Sequence, residues 1–234
     1  MKKFVAIILA VVLCLSVCAC GAKDSSAPVI GICQYGEHGS LDNCREGFIQ
    51  GLIDAGLVEG TDFVIDYQNA SFDDNIDNQI AQSFAAKDVA LMCAIATPSA
   101  VACYAAAEEK DIPVIYTAIS DPEQAKLTSG NITGTSDKLP VDAQLELIRA
   151  IQPDAKTIGI VYTEPNSVSH LEKLEKLAPD YGFTIEAIGV TAAAEVTQAV
   201  DTLISKKVDC LSNLTDNNVV GVLSSVLEKT NAAK

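Results

Sequence analysis

Four times in its first half the chain repeats one pattern. A short apolar run rich in β-branched residues stops abruptly in small polar residues, and an amphipathic helical segment follows. The runs are Pro28 to Cys33, Phe63 to Tyr67, Val89 to Ala96 and Val114 to Ile119. Each has the composition of a strand, and Val89–Ala96 is apolar enough to be buried on both faces. Between them, Leu41, Cys44, Phe48, Leu52 and Ala55, and then Ile76, Ile80 and Phe84, recur at three- and four-residue steps and predict helices. A further helix runs through Ala107. Strands alternating with helices imply right-handed crossovers and a parallel sheet. The polar stops are Gln34 to Ser40, Asn69 to Asp73, Thr97 to Ala100, and Ser120-Asp121-Pro122-Glu123. In the last, Asp121 at an N-cap, Pro122 at the first helical position and Glu123 in the first turn predict another helix. Ligand sites in open α/β sheets lie beyond such strand ends.

Periodicity stops between 128 and 140, which is therefore expected to be a connection between two lobes. A second series follows: a helix over Val141, Leu145, Ile148 and Ile151, a strand from Thr157 to Thr163, and a helix over Val168, Leu171, Leu174 and Ala178 stopped at Gly182. A strand from Phe183 to Val190, a helix over Val196, Val200 and Leu203, a strand from Val208 to Leu214 and a last helix to Lys234 complete it. The expected fold class is α/β, two-lobed, with parallel sheets flanked by helices: one lobe at 29–127 and a second, partial one at 141–234. Three strands are few for a doubly wound sheet, so the sequence is expected to be truncated.

The first nineteen residues read as an export signal, with Lys2 and Lys3 ahead of an apolar run from Phe4 to Leu13. Val17-Cys18-Ala19-Cys20-Gly21 resembles a bacterial lipobox, with Cys20 the residue to be lipidated and residues 20–28 a polar tether. An uncleaved anchor helix is the alternative. Either reading ties the protein to the outside of a membrane. The formal charge of −15 excludes nucleic acid as a partner, since phosphate binding needs clustered Lys and Arg. Beyond the leader, Cys33, Cys44, Cys93, Cys103 and Cys210 show no metal-type spacing and read as buried thiols, with one disulfide pair left open.

No catalytic set is evident. His38 and His170 fall in different lobes, and Gly36-Glu37-His38-Gly39-Ser40 lacks both the glycine spacing and the Lys of a phosphate loop. No cofactor or metal site is expected. Binding groups are abundant. The helix start at Thr97 offers free N–H groups and a positive dipole end to a carboxylate, with Ser99 adding a hydroxyl. Asp121, Glu164 and Asp216 follow strands and have the charge to pair with an ammonium. Asn166, Ser167, Asp216 and Asn217 read equally well as helix caps. Tyr35, Tyr116 and Tyr162 suit either a pocket wall or the core.

Taken in order, Ile30-Gly31-Ile32 with Glu37-His38, Glu46-Gly47-Phe48, Gly56-Leu57-Val58-Glu59-Gly60, Asn69-Ala70 and Ala96-Thr97-Pro98-Ser99-Ala100 carry a resemblance. So do Ser120-Asp121-Pro122, Gly130-Asn131-Ile132-Thr133-Gly134, Asn166-Ser167 and Thr215-Asp216-Asn217. From Val29 onward the chain resembles substrate-binding lipoproteins of ABC transporters, of the tryptophan/tyrosine type, with the type I periplasmic-binding-protein fold. The resemblance implies a monomer of two lobes around a cleft. It implies an aromatic or apolar amino acid as ligand, and delivery to a membrane permease and its ATPase. By position, Thr97, Ser99 and the amide of Ala100 would hold the carboxylate, and Asp121 and Asp216 would hold the ammonium or set its hydrogen bonds. Glu164, Asn166 and Ser167 would line the opposite lobe. Tyr35, Glu37, His38, Asn69, Thr117, Ser120 and Asn217 complete the expected site. The carboxyl end departs from the family, whose members continue further. Two other readings are a hydrolase using Glu37 and His38, and a ligand sensor that signals to a membrane partner.

Overall fold

The computed structural model describes residues 27–233, so the expected signal segment and Cys20 lie outside the described residues. The first lobe is a five-stranded sheet of β1 (Val29–Gln34), β2 (Val64–Asn69), β3 (Leu91–Ile95), β4 (Val114–Ile119) and β5 (Ile132–Ser136). Their order is β2-β1-β3-β4-β5, and every pairing is parallel. The central strands are the most apolar: Ile32, Cys93, Ala94 and Ile95 have no exposure. Three helices connect them, α1 (Gly39–Asp54), α2 (Asp74–Ala86) and α3 (Thr97–Ala107). The sheet order sends the α1 crossover one way and the next two the other way, so right-handed connections put α2 and α3 together on one face. Phe84 of α2 lies directly on Gly31, where any side chain on β1 would collide with the ring.

Two expectations for this lobe are corrected. The stretch 128–140 is not all connection, because Ile132–Ser136 pairs in register with β4. It is an edge strand exposed along most of its length, and a strand wetted on both faces has no apolar alternation to read. The crossing to the second lobe narrows to residues 137–140. After Ser120 there is no α-helix. Asp121 does cap, its Oδ1 accepting from the amides of Glu123 and Gln124 at 3.0 Å. The turn then ends at Lys126, whose φ of 59° is left-handed.

The second lobe is a parallel sheet of order β7-β6-β8, made of β6 (Thr157–Tyr162), β7 (Thr184–Gly189) and β8 (Cys210–Leu211). The last is much shorter than the apolar run suggested. Helices α4 (Val141–Ile151), α5 (Glu164–Leu177), α6 (Ala193–Ser205), α7 (Asn217–Gly221) and α8 (Leu223–Ala232) cover it. The expected final helix is thus two, broken at Val222. Apolar cores fill both faces, one around Leu145, Ile160 and Leu174 and one around Val196, Val200 and Leu203. Arg149 of α4 lies 3.9 Å over the Phe183 ring and donates to the carbonyls of Pro153, Ala155 and Tyr181. It thereby closes the turns at one end of the lobe. All five described cysteines are free thiols, and Cys33, Cys93 and Cys103 are buried. Burial pushes the Cys93 thiol up to about 12.

Candidate functional site

The loops that leave the carboxyl ends of the two sheets meet each other. His38 Nε2, after β1, lies 3.2 Å from Asn217 Oδ1 at the start of α7. Ser120 Oγ, after β4, lies 2.9 Å from Thr215 Oγ1. The Phe72 ring, after β2, packs on Gly221, where an added Cβ would sit 3.0 Å from it. Tyr35 and Asn218 lie close to each other across the junction. These contacts define an inter-lobe junction made of strand-end residues, where the alternating pattern places a ligand site.

The rings are organised around Phe72. It stands edge-on to Tyr35 with centroids 5.8 Å apart, and parallel to His38 at 6.3 Å and 5°. Ser71 and Phe72 both have positive φ (53° and 63°), a strained pairing for residues with side chains. The strain turns the Phe72 ring over Gly36, where a Cβ would overlap it. Tyr35 is buried and donates to Asp74 Oδ1 at 2.9 Å; burial, then the Asp74 carboxylate, pushes its phenol up.

Three atoms of this region are buried without a hydrogen-bond partner: His38 Nδ1 and Thr97 Oγ1 from the first lobe, and Asn218 Oδ1 from the second. An unpaired buried polar group costs about 1–3 kcal/mol; two of these atoms come from residues at the junction, one on each lobe, and the third opens the helix after β3, which points to a polar ligand. Thr97 opens α3 behind Ala96, whose φ of 88° ends β3 sharply. Thr97 also lines a pocket of about 210 Å³ with Asp74, Asp77 and Asn78.

Several expected ligand groups have other partners. Ser99 is fully buried and donates to Asp77 Oδ1 at 2.7 Å, beside Cys33 at 3.0 Å. The amide of Ala100 bonds Ala96 O within α3. Asp216 is fully buried, and its carboxylate accepts five bonds. Oδ2 takes the amide and hydroxyl of Thr163 and the hydroxyl of Ser167, and Oδ1 takes the amides of Asn218 and Val219. With its lone pairs filled it caps α7 and knits the second lobe, so the ammonium role expected of it is corrected, and Ser167 is absorbed with it. Asn69 Oδ1 accepts the Ser71 amide and shapes the Phe72 turn. Thr117 meets Thr135 across the β4–β5 pair. Glu37 is exposed. Glu164 and Asn166 fall in the first turn of α5, and their side chains lie outside the described residues.

Phe72, Asp74, Asp77 and Asn218 were not among the expected site residues. Asp77 was readable as an acid on the apolar face of α2, three residues before Ile80 and seven before Phe84. Burial raises its carboxyl above the usual range, against the opposing bonds from Cys33 and Ser99. Phe72 had only the weak signal of an aromatic inside a polar turn.

The model of a family described as ABC transporter substrate binding protein matches residues 29–234. A tyrosine-binding protein of Clostridioides difficile is 39% identical over 88% of this chain, which spans 61% of that relative's length. Among solved structures, an ABC domain from Streptococcus pneumonia in complex with L-Trp is 32% identical, with a TM-score of 0.84. The match covers 89% of this chain and 72% of that one. A ligand-free, open substrate-binding protein with adhesive properties from Clostridium difficile is 38% identical with a TM-score of 0.60, covering 88% and 72%. The parallel sheets flanked by helices are those of type I periplasmic binding proteins, and the chain belongs to the ABC transporter substrate binding protein family.

Proposed function

We propose that this protein captures an aromatic amino acid between its lobes and presents it to an ABC permease and its ATPase. In this reading it works as an extracytoplasmic monomer held to the cell membrane through a lipidated Cys20. The observation that carries the reading is a buried, unpartnered polar atom from each lobe, His38 Nδ1 and Asn218 Oδ1, at a junction where the Phe72 ring meets His38 and Tyr35, with the unpartnered Thr97 Oγ1 opening the helix after β3. An aromatic amino acid matches that mixture of polar and π surface. The relatives that bind tyrosine and L-Trp support the same class of ligand.

In the proposed complex the carboxylate sits at the amino end of α3, against Thr97 Oγ1 and the free amides of the first turn. The ammonium faces the Asp74 corner, because Asp216 is already saturated and Asp121 Oδ1 caps its turn. His38 and Asn217 close the junction from opposite lobes, and Ser120 joins the lobes at their hinge. The protein is a binder and no bond of the ligand is broken. A calorimetric screen of the twenty amino acids tests this: the reading expects tight binding confined to Tyr, Trp and Phe, with the ligand recovered unchanged. Heat from none of the three, or chemical turnover of a bound amino acid, overturns it.

A further inference from the structure

A chain of hydrogen bonds crosses from one lobe to the other, and its first link fixes the tautomer of a histidine. The Leu139 amide donates to His170 Nε2 at 3.3 Å. That nitrogen therefore carries a lone pair, and the ring proton resides on Nδ1. Nδ1–H donates to Thr215 Oγ1 at 3.1 Å. Thr215 Oγ1 in turn shares a hydrogen bond with Ser120 Oγ at 2.9 Å, and the Asp137 carboxyl lies close to Ser120. Ser120 ends β4 in the first lobe, Thr215 follows β8 in the second, and Asp137 and Leu139 lie on the crossing between them. His170 and Ser120 are both buried.

We propose that this relay is the latch of the lobe-to-lobe contact, and that neutral His170 is a positioning residue for solute capture, acting through Thr215 and Ser120. The proposal rests on the solute-binding reading above. A second ring proton has one place to go, Nε2, where it faces the Leu139 N–H. Two donors then oppose each other, and the crossing segment must shift. Burial lowers the imidazole below its ordinary 6.5, Lys173 and Lys138 act in the same sense, and Asp137 and Asp121 oppose them. Of the elements packed on α5, α3 and β6 carry no charged side chain. Helix α4 carries Asp142, which lies 3.7 Å from Lys173, with Glu146 and Arg149; Glu186 of β7 is paired with Lys206, and the 178–181 turn carries Asp180. A group lowered in the latched state contributes above its ordinary value, and its contribution is lost as pH falls through the lowered one. The latch therefore holds at pH 7 and releases on acidification.

The test measures L-tyrosine affinity of the full chain by calorimetry at pH 7.5 and 5.0, with imidazole nitrogen NMR of His170. For the unmodified protein we expect Nε2 unprotonated at pH 7.5 and an affinity that falls by roughly tenfold at pH 5.0. His170→Gln retains one donor and one acceptor without titrating, so it should bind more weakly at pH 7.5 but with a flat profile. Thr215→Val should weaken binding at both pH values. An unmodified fall with pH in His170→Gln, or a proton on Nε2 at pH 7.5, overturns the proposal. If the unmodified protein binds no L-tyrosine at either pH, the solute reading fails instead. Small-angle scattering then decides the latch: lobes that separate on acidification in the unmodified protein but not in His170→Gln support it, and equal behaviour overturns it.

Discussion

Asp216 Oδ2 lies 2.6 Å from the backbone nitrogen of Thr163, and the same atom accepts the Thr163 and Ser167 hydroxyls. One buried carboxylate thus ties the loop after β8 to the loop after β6, while its other oxygen caps α7. This fixes Asn217 and Asn218 where they meet His38 and Tyr35. The second lobe's half of the junction depends on a residue that has no bonding capacity left for a ligand.

Asp216→Ala leaves five donors without their acceptor, three of them on buried side chains or the Thr163 amide. Orphaning several buried donors together, at about 1–3 kcal/mol each, puts the expected loss above about 3 kcal/mol. Urea unfolding should show a loss of that size, and a smaller one for Asp216→Asn, which keeps one oxygen. A loss below about 1 kcal/mol, the size of one ordinary hydrogen bond, would contradict the assigned role.

Asp77 behaves in the opposite way. Its folded-state pKa is raised above the ordinary 3.8, chiefly by burial. Its charged form therefore weakens the fold, and stability falls as pH rises through the raised value. Asp77→Asn should be neutral or stabilising at pH 7, with the advantage shrinking toward pH 3.8. Asp77→Ala should instead destabilise by about 1–3 kcal/mol by orphaning Ser99 and opening space. Chemical denaturation at pH 7 and pH 4 checks both, and an Asn variant as damaged as the Ala variant would refute the account.

A side chain at Gly36 has nowhere to go while Phe72 keeps its place. Gly36→Ala should displace the ring from His38 and Gly221 and lower amino-acid affinity by roughly tenfold, the size of one lost ring contact. Phe72→Ala should lower it at least as far. Unchanged affinity in both would remove Phe72 from the site.

The first lobe was legible from its strand runs because β1 and β3 are buried on both faces and β4 is half-buried or better throughout, so each reads as a largely apolar segment. β5 was not, since an exposed Thr- and Gly-containing edge looks like a loop. The strand-end pattern named His38 and Asn217, which meet at 3.2 Å, and Ser120, which meets Thr215. Composition alone cannot say which oxygen has a spare lone pair. Asp121 and Asp216 looked like ligands for an ammonium because both follow strands, yet each is used by neighbouring amides. Phe72 enters the junction through the left-handed backbone at Ser71 and Phe72, and Asn218 through the Asp216 cap of α7, which no local apolar pattern encodes.

The central claim is that the junction between the lobes receives an aromatic amino acid. The measurement that tests it most directly is calorimetric titration of L-tyrosine and L-tryptophan into the unmodified protein and into Thr97→Val. That substitution keeps the shape of the side chain while deleting Oγ1, the buried hydroxyl left without a partner. The account predicts saturable binding to the unmodified protein and a loss of roughly tenfold or more in the variant, the effect of one bond to a charged group. Equal binding by both proteins, or binding by neither, would contradict it.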